Sequence, residues 1–393
     1  MPKTVILGTA RTPIGKLGGG LSTLKATELG GIAIAAALER ADVAPEQVDH
    51  VVMGQVLQAG QGQIPSRQAQ LSGGIPNETT SETVNKVCAS GLRAAVILDQ
   101  AIRGGDVEVG VGGGMESMSG APYLLPQARF GYRMGDAKTL DAMVHDGLTN
   151  PFSGKQMFVE ATETSEQFEL TRPDLDRWAL RSHELALAAI DEGRMSDEIV
   201  PVVVKGRKGD TTVEVDEGPR RGSSIEALAK LPGLHGKEGS HTAGNSPGVN
   251  DGAGAIVLAS DEWAAANGKT VLAEVVAHAQ TAGDTAILQT TPALSAMKAL
   301  DKAGLQPSDI DLWEINEAFA SVTLQSLRML GIDEDRVNVN GGAVALGHPI
   351  GASGARIIGA LVQQLRRRGG GYGVAAICSG GGQGDALILK VHG

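Results

Sequence analysis

The feature that most constrains the fold of this 393-residue chain is an internal duplication. The segment LERADVAPEQVDHVV at 38–52 matches LDKAGLQPSDIDLWE at 300–314, at an offset of 262 residues. A second match, between ASGLR at 89–93 and ASGAR at 352–356, has an offset of 263. A chance match is the alternative, but two matches at nearly one offset favour a duplicated unit.

Each repeat predicts the same series of elements: a helix end, a proline turn, a buried strand, a small-residue helix and another strand. Glycines at 112–114 and 380–382 are predicted to form a turn after that last strand. In the second repeat the turn leads directly into a strand at 384–390, whereas the similar GAGAIVL at 252–258 follows only after a long interval. We therefore predict two homologous α/β halves, with mostly parallel sheets covered by helices and with residues 119–248 inserted into the first half.

The predicted insertion divides the chain into three parts. These predicted domains are a first half at 1–118 with 249–270, an inserted loop domain at 119–248, and a second half at 271–393. The insertion contains one clear helix near 173–192, for which Thr171 is the predicted N-cap. Within the insertion, 205–237 carries seven basic side chains against five acidic ones. This small positive excess favours a phosphorylated ligand, with an ordinary solvated loop as the alternative.

Composition excludes several classes of protein. The net charge of −11, from 34 basic and 45 acidic side chains, argues against binding to nucleic acid, which needs a basic surface. No apolar run approaches the roughly 20 residues that span a bilayer, and the start MPKTVILGT lacks the features of a signal peptide. We therefore expect no membrane partner and a cytoplasmic location. Two cysteines do not make a disulfide framework, and no cluster of His, Cys, Asp and Glu has metal-ligand spacing.

The two cysteines are the strongest candidates for chemistry. Cys88 lies in NKVCASG at 85–91, where a helix is predicted to begin. The unpaired N–H groups and partial positive charge of a helix N-terminus favour a thiolate nucleophile and are suited to hold an oxyanion. Cys378 lies at the end of a predicted strand in the other half. The alternative for either cysteine alone is a small buried apolar residue.

His348 differs from the other seven histidines in its position within the repeat. It lies in GHPIG at 347–351, the loop leading into the helix that mirrors the Cys88 helix. If the halves pack about a pseudo-twofold axis, the loops of Cys88 and His348 meet, and a Cys–His pair with histidine as the base follows. Asn316 comes at the carboxyl end of a predicted strand, where ligand sites of α/β folds gather. An amide there is suited to orient a water or to donate to an oxyanion, but by itself Asn316 is read first as a helix cap.

Four segments of the chain resemble the signature blocks of the thiolase family. They are NKVCASG at 85–91, NEAFA at 316–320, GHPIGASG at 347–354 and CSGGGQG at 378–384. The blocks occur in the family's order, and the resemblance extends over the whole chain. It implies a five-layered α/β/α/β/α core built from two repeated halves, with a loop domain inserted in the first.

The resemblance also implies a mechanism. Cys88 would attack an acyl-CoA thioester with help from His348, and Cys378 would remove or return the α-proton of a second acyl-CoA. One oxyanion site would use His348 and a water held by Asn316, and the other would use the backbone N–H groups of Cys88 and Gly380. Claisen condensation and thiolysis are then the two directions of one reaction. No metal or redox cofactor is implied, and coenzyme A is a co-substrate.

Further residues are carried over from the family pattern as contacts for the acyl-CoA. They are Leu148, Met157, Arg220, His235, Ser246 and Phe319. The chain departs from the commoner pattern at Gln156, His235 and Pro247, which leaves CoA affinity and acyl-chain length open. Segment 120–145 resembles the loop that joins dimers into tetramers in short-chain members. We therefore expect a homo-oligomer, a dimer of dimers.

The activity implied most directly is that of an acetyl-CoA acetyltransferase, which converts two acetyl-CoA into acetoacetyl-CoA and CoA. A degradative 3-ketoacyl-CoA thiolase of broader chain length is the near alternative. A more distant alternative is a non-catalytic acyl-CoA-binding member of the fold. The presence of both cysteines, His348 and Asn316 argues against that last alternative.

Overall fold

The structure, a computed structural model, describes residues 2–393. Its strands are β1 (Thr4–Arg11), β2 (Gly15–Lys16), β3 (His50–Gly54), β4 (Thr80–Val84), β5 (Val109–Ser117), β6 (Tyr123–Leu124), β7 (Leu140–Asp141), β8 (Val202–Val204), β9 (Thr211–Val213), β10 (Asn250–Ser260), β11 (Ala273–Ala282), β12 (Leu312–Ile315), β13 (Gly371–Ser379) and β14 (Gln383–Val391). Its α-helices are α1 (Ala26–Ala41), α2 (Pro65–Ser72), α3 (Ser90–Gly104), α4 (Met157–Ser165), α5 (Arg172–Asp191), α6 (Ile225–Ala229), α7 (Asp261–Ala266), α8 (Thr291–Ala303), α9 (Ala320–Leu330), α10 (Ala343–Leu346) and α11 (Ser353–Arg367). None of these helices, within residues 2–393, is both long and apolar enough to cross a bilayer.

The predicted duplication is confirmed by the order and the bounds of the elements. Helices α1 and α8 end at Ala41 and Ala303, and each is followed by a 3₁₀ turn that begins with proline and then by a buried strand. Helices α3 and α11 have 15 residues each and begin at Ser90 and Ser353. The two sequence matches therefore mark equivalent elements of two folded halves.

The small residues at the start of α3 and α11 allow these two helices to pack closely. A Cβ on Gly354 would lie 2.1 Å from the backbone nitrogen of Leu92, and a Cβ on Gly91 would lie 2.9 Å from that of Ala355. Larger side chains at these positions would force the helices apart. The close approach occurs at the N-terminal ends of both helices. The catalytic candidates Cys88 and His348 lie just before these ends in the sequence.

Most strands belong to one mixed sheet. The strand order is β12-β13-β14-β11-β1-β10-β5-β3-β4, with β2 beside β10, and its two halves are joined by two residue pairs between β1 and β11. The prediction of mostly parallel sheets is wrong, because in the described chain only β3–β4, β3–β5 and β12–β13 are parallel. The glycine turn at 380–382 makes β13 and β14 an antiparallel hairpin, and β10 returns antiparallel to both β1 and β5.

Alternate side chains of the strands build five layers. In the first half, Val5 and Leu7 pack in one apolar cluster with α1, whereas Ile6 packs with α3 and α11. In the second half, Leu387 packs with those same central helices, whereas Ile388 packs with α8 and α9. The order of the layers is helix, first half of the sheet, helix, second half of the sheet, helix. This order confirms the predicted five-layered α/β/α/β/α core.

The glycines at 112–114 lie inside β5, so the predicted turn at this position is wrong. A Cβ on Gly114 would lie 2.0 Å from the carbonyl oxygen of Gly351, and one on Gly113 would lie 2.2 Å from that of Gly254. Glycine is needed here because other backbone segments approach the strand closely. One of those segments, around Gly351, is the loop that follows His348.

The chain leaves the large sheet after Ser117 and re-enters it at Asn250, and β5 and β10 then pair in antiparallel register. Between them lies α5, whose N-cap Thr171 accepts a hydrogen bond from the Asp174 N–H, as predicted. Buried Arg11 of β1 holds this segment against the core through bonds to Glu198 at 3.0 Å and to Asp216 at 2.7 Å. These contacts give the inserted residues a fixed position beside the sheet.

Candidate active site

The loop before α3 presents Cys88, which is 3% exposed. Helix α3 begins two residues later at Ser90, whose hydroxyl accepts from the N–H of Lys86 at 2.8 Å and donates to the carbonyl of Val87 at 2.6 Å. Val87 has a φ of 45°, in the left-handed region that a β-branched residue rarely adopts. Such backbone strain is held only where surrounding contacts fix it, and it is typical of functional loops.

The ionisation of Cys88 differs from the sequence-based prediction. Burial raises the pKa of its thiol to about 12, while the backbone N–H groups of Cys88 and Gly380 hydrogen-bond to the sulfur and oppose the rise. The predicted thiolate is therefore wrong for the resting site, because the loss of hydration outweighs the helix N-terminus. The thiol needs a base that removes its proton during the reaction.

His348 is held in the orientation such a base requires. Its backbone N–H donates to Asn250 Oδ1 at 2.9 Å, and its Nδ1 lies 2.6 Å from the hydroxyl of Ser353. That hydroxyl donates to the carbonyl of Pro349, so it accepts from Nδ1–H and leaves the Nε2 lone pair free. Nε2 is buried and has no hydrogen-bond partner within the described chain. Burial, followed by the charge of Arg356, lowers the pKa of His348 to about 3, so the imidazole is neutral.

Cys378 lies at the end of β13 and is fully buried. Burial, followed by the electrostatic effect of Cys88, raises the pKa of its thiol well above the usual value. This electrostatic effect, and the hydrogen bond from the Gly380 N–H to the Cys88 sulfur, indicate that the two cysteine loops lie close together. The loops come from opposite halves and form one site. The apolar side chains packed around Cys378 are those of Met157, Leu288, Ala318, Phe319 and Val322.

Asn316 follows β12 and is fully buried, yet within the described chain neither its Oδ1 nor its Nδ2 has a hydrogen-bond partner. The alternative of a helix cap is wrong, because α9 begins at Ala320 with Phe319 as its N-cap. A buried amide without partners is costly. Asn316 is therefore arranged to bind a group that comes from outside the protein, such as a water or a substrate oxygen.

Two buried carboxylates that support these loops were missed by the sequence analysis. Glu317 accepts from Trp178 Nε1 at 3.0 Å and from the backbone N–H of Val344 at 2.9 Å, and so ties α5 to α10, just before the His348 loop. Glu116 accepts from the backbone N–H of Gly351 at 2.9 Å, and burial raises its pKa to about 7. Its place inside NEAFA was the one available signal for Glu317, and nothing in the local sequence indicated Glu116.

A cavity of about 240 Å³ opens onto Cys88 and His348. Four of the predicted substrate contacts also line it: Leu148, Met157, Ser246 and Phe319. The remaining lining residues are Met118, Gln156, Phe158, Leu234, Pro247, Gly248, Val249, Leu288, Ala318 and Ile350. The lining is mainly apolar, and the buried hydroxyl of Ser246 has no partner within residues 2–393. A mainly apolar cavity with a few polar groups is typical of a small-molecule site.

The two remaining predicted contacts for the acyl-CoA, Arg220 and His235, lie outside this lining. Arg220 and His235 are exposed, and the backbone N–H of Arg220 donates to His183 at 3.3 Å. Leu234, next to His235, does line the cavity. The roles of Arg220 and His235 in binding CoA stay predictions.

The arrangement supplies a buried thiol nucleophile, a neutral imidazole base, a second thiol and several donors for an oxyanion. These groups are suited to acyl transfer through a covalent thioester. Within residues 2–393, no group of three or more His, Cys, Asp or Glu side chains is arranged to hold a metal ion.

Comparison with known proteins agrees with this geometry. The family described as "Thiolase, N-terminal domain" matches residues 4–262, and "Thiolase, C-terminal domain" matches residues 269–391. A protein of Mycolicibacterium smegmatis named "Probable acetyl-CoA acetyltransferase" is 46% identical over 387 residues, covering 98% of this chain and all of the relative. An "Acetyl-CoA acetyltransferase" of Syntrophomonas wolfei is 46% identical over 392 residues, covering 99% of each chain.

Solved structures are equally similar. The acetyl-CoA acetyltransferase of Syntrophomonas wolfei superposes with a TM-score of 0.97 at 41% identity and covers 100% of both chains. That of Bacillus anthracis also gives 0.97, at 40% identity, covering 100% of this chain and 99% of the other. On sequence and on fold, therefore, this chain belongs to the thiolase family.

Proposed function

We propose that this protein is an acetyl-CoA acetyltransferase, which makes acetoacetyl-CoA and CoA from two acetyl-CoA and also catalyses the reverse thiolysis. The observation that carries the proposal is the meeting of Cys88 and His348 at one mainly apolar cavity, with Cys378 packed against the lining residues Met157, Leu288 and Phe319. The names of its full-length relatives support the choice of acetyl-CoA as substrate.

In the first step, the Cys88 thiol loses its proton to Nε2 of His348 as its sulfur attacks the carbonyl carbon of acetyl-CoA. The new C–S bond gives a tetrahedral oxyanion, which collapses with loss of the CoA thiolate. The imidazolium returns its proton to that leaving group. Because Cys88 and His348 are both neutral at rest, they support a concerted proton transfer rather than a preformed thiolate–imidazolium ion pair.

In the second step, the Cys378 thiol passes its proton to Nε2 of His348, and the resulting thiolate takes an α-proton from a second acetyl-CoA. The resulting carbanion attacks the carbonyl carbon of acetyl-Cys88, a C–C bond forms, and the C–S bond to Cys88 breaks. Acetoacetyl-CoA leaves, and the regenerated Cys88 thiolate takes the proton from the His348 imidazolium, which restores both thiols and the neutral imidazole. Thiolysis follows the same steps in reverse.

Two oxyanion sites stabilise the charges that develop. We assign one to the backbone N–H groups of Cys88 and Gly380. This assignment is supported because both groups already hydrogen-bond to the Cys88 sulfur. We assign the other to Nε2 of His348 and a water held by Asn316, whose unpartnered buried amide supports this role. Each such donor is typically worth about 3–4 kcal/mol of transition-state stabilisation. No metal or redox cofactor takes part in these steps.

The inserted segment 119–248 is the proposed binding domain for the CoA part of the substrate. Leu148, Met157 and Ser246 come from this segment and line the cavity. We assign Arg220 to the phosphates and His235 to the region of the adenine. Arg220→Ala should raise the KM for acetyl-CoA about 10-fold and leave kcat nearly unchanged, because the lost contact is the same in the ground and transition states.

The test of substrate choice is a profile of thiolysis rates over acetoacetyl-CoA and longer 3-ketoacyl-CoAs. The proposal predicts the highest kcat/KM with acetoacetyl-CoA. A clear preference for long chains would instead support a degradative 3-ketoacyl-CoA thiolase. Failure to form any acetyl adduct would support a binding protein without catalysis.

We also propose that the protein acts in the cytoplasm as a dimer of dimers. Large apolar side chains are exposed along segment 120–145, including those of Tyr123, Phe130 and Met134. Exposed apolar clusters of this kind mark interaction surfaces. Both thiols must stay reduced for the reaction, which a reducing compartment provides. The molar mass in solution, measured by light scattering, tests the assembly.

A further inference from the structure

The loop that carries Cys88 is fastened to the opposite half of the fold through one residue, Lys86. Its side-chain amine lies 2.5 Å from the carboxylate of Asp385 and donates to Gln280 Oε1 at 2.8 Å. Its carbonyl oxygen accepts a hydrogen bond from the hydroxyl of Ser379. Both the side chain and the backbone of Lys86 are therefore held by the second half.

The partners of Lys86 surround the other cysteine. Ser379 directly follows Cys378 at the end of β13. Asp385 is the third residue of β14, and in the sheet it pairs with Ile377 on one side and with Gln280 of β11 on the other. Lys86 therefore bridges two adjacent strands at the hairpin that presents Cys378.

The contact is largely hidden from solvent. The side chain of Asp385 is 1% exposed and that of Lys86 is 14% exposed. A buried carboxylate left without its cation is strongly unfavourable, so the pair has one preferred geometry. A buried ion pair of this kind is by itself weak evidence for net stability.

The strained backbone of Val87 lies between this anchor and Cys88. On one side Lys86 is fixed to the second half, and on the other the Ser90 hydroxyl bonds to the carbonyl of Val87. The side chain of Val87 packs against Gly380, since a Cβ built there would lie 3.4 Å from either Cγ atom. If the anchor were released, we would expect the loop to relax away from its φ of 45° and the Cys88 sulfur to move.

We propose that Lys86 is a positioning residue for acyl transfer, because it ties the Cys88 loop to the strand that follows the Cys378 turn. The inference rests on the proposed function, in which the Cys88 sulfur and the Gly380 N–H act on the same acetyl group. A misplacement of about 1 Å in such a site costs on the order of 100-fold in rate. Lys86 itself touches neither the substrate nor the reacting atoms.

The test is the rate of Cys88 acetylation by acetyl-CoA in a single turnover, followed by mass spectrometry, together with steady-state kcat and KM. Lys86→Met should lower the acetylation rate and kcat by about 10- to 100-fold and change KM by less than about threefold. Lys86→Arg keeps a cation for Asp385 and should restore most of the rate. Asp385→Asn removes the same pair from the other strand and should resemble Lys86→Met, which provides the test should that variant not fold.

Arg103→Met is the matched control. Arg103 lies at the far end of α3 and also contacts the second half, donating to the carbonyl of Val275 at 2.7 Å and to Asp99. This control should lower the Tm while the acetylation rate stays near that of the wild type. An equal loss of rate in Arg103→Met would show that the effect comes from general weakening of the contact between the two halves. That result would overturn the proposal.

The remaining outcomes are also decisive. Acetylation of Lys86→Met and Asp385→Asn at the wild-type rate would overturn the positioning role, as would Lys86→Arg being as slow as Lys86→Met at an unchanged Tm. If the wild type itself forms no acetyl-Cys88, the proposed function fails instead. The two failures are therefore distinguishable.

Discussion

Nδ1 of His348 lies 2.6 Å from the hydroxyl of Ser353, the first residue of α11. The central helix of the second half thus sets the tautomer of the candidate base. With Nδ1 protonated, Nε2 keeps its lone pair for the proton of Cys88. The burial that lowers the pKa of His348 to about 3 keeps this tautomer uncharged at physiological pH.

Ser353→Ala should lower the rate of Cys88 acetylation by about 10- to 100-fold, because the imidazole loses the acceptor that fixes its tautomer. Single-turnover kinetics with acetyl-CoA measures the effect. Ser326→Ala is the matched control, since Ser326 is also buried and bonds to the carbonyl four residues earlier, at 2.8 Å, but in α9. Equal rates in the two variants would contradict the assigned tautomer.

Cys378→Ala should separate the two halves of the reaction. The variant should still accept an acetyl group on Cys88, at a reduced rate, but should lose condensation by at least about 1000-fold because nothing removes the α-proton. Mass spectrometry reports the first step, and formation of acetoacetyl-CoA reports the second. Normal turnover in this variant would show that another group is the base.

Asn316→Ala should reduce activity without reducing stability. Loss of the donor that holds the oxyanion water should lower kcat by about 100- to 1000-fold. The buried amide has no partners in the resting site, so its removal should leave the Tm unchanged or higher. Asn338→Ala provides the contrast, because that amide bonds to Ile315 and Glu317 and its loss should lower the Tm. A destabilised Asn316→Ala with normal kcat would contradict the assignment.

The stability of the protein should fall in acid partly through His241. This ring is buried edge-on to Phe319, and burial lowers its pKa to about 4. Between about pH 4 and 6.5 the unfolded chain binds the extra proton, so stability is lost as pH falls through this window, by on the order of 2–3 kcal/mol.

His241→Gln should lack this part of the acid loss and keep the rest, since the other buried histidines are unchanged. Urea unfolding of both proteins at a series of pH values measures the difference. The free-energy gap between them should change steadily from pH 6.5 to 4 and be constant above pH 7. A gap that does not change with pH would contradict the lowered pKa.

The duplication made most of the core predictable, because equivalent helices begin at Ser90 and Ser353 in both halves. The glycines at 112–114 were misjudged because three consecutive glycines are a local turn signal. Here Gly114 allows a close contact with Gly351, more than 200 residues away, which no local pattern reveals. Strand direction was misjudged for a related reason, since the return of β10 beside β5 depends on how the insertion closes.

The position of the catalytic candidates was predictable from the repeat, but their protonation was not. The helix N-terminus beside Cys88 is visible in the sequence, whereas the burial that outweighs it comes from tertiary packing. Lys86 and Ser353 stand inside recognisable motifs, yet their roles depend on partners such as Asp385 that the fold brings to them. Residues that support a site are in general harder to predict than residues that react.

The most direct test of the account is incubation of the purified protein with acetyl-CoA, followed by intact-mass and peptide-mapping mass spectrometry. The account predicts one acetyl group per chain, located on Cys88, with release of CoA, and no adduct in Cys88→Ala. An unmodified wild-type protein, or an acetyl group found on Cys378 instead, would contradict it.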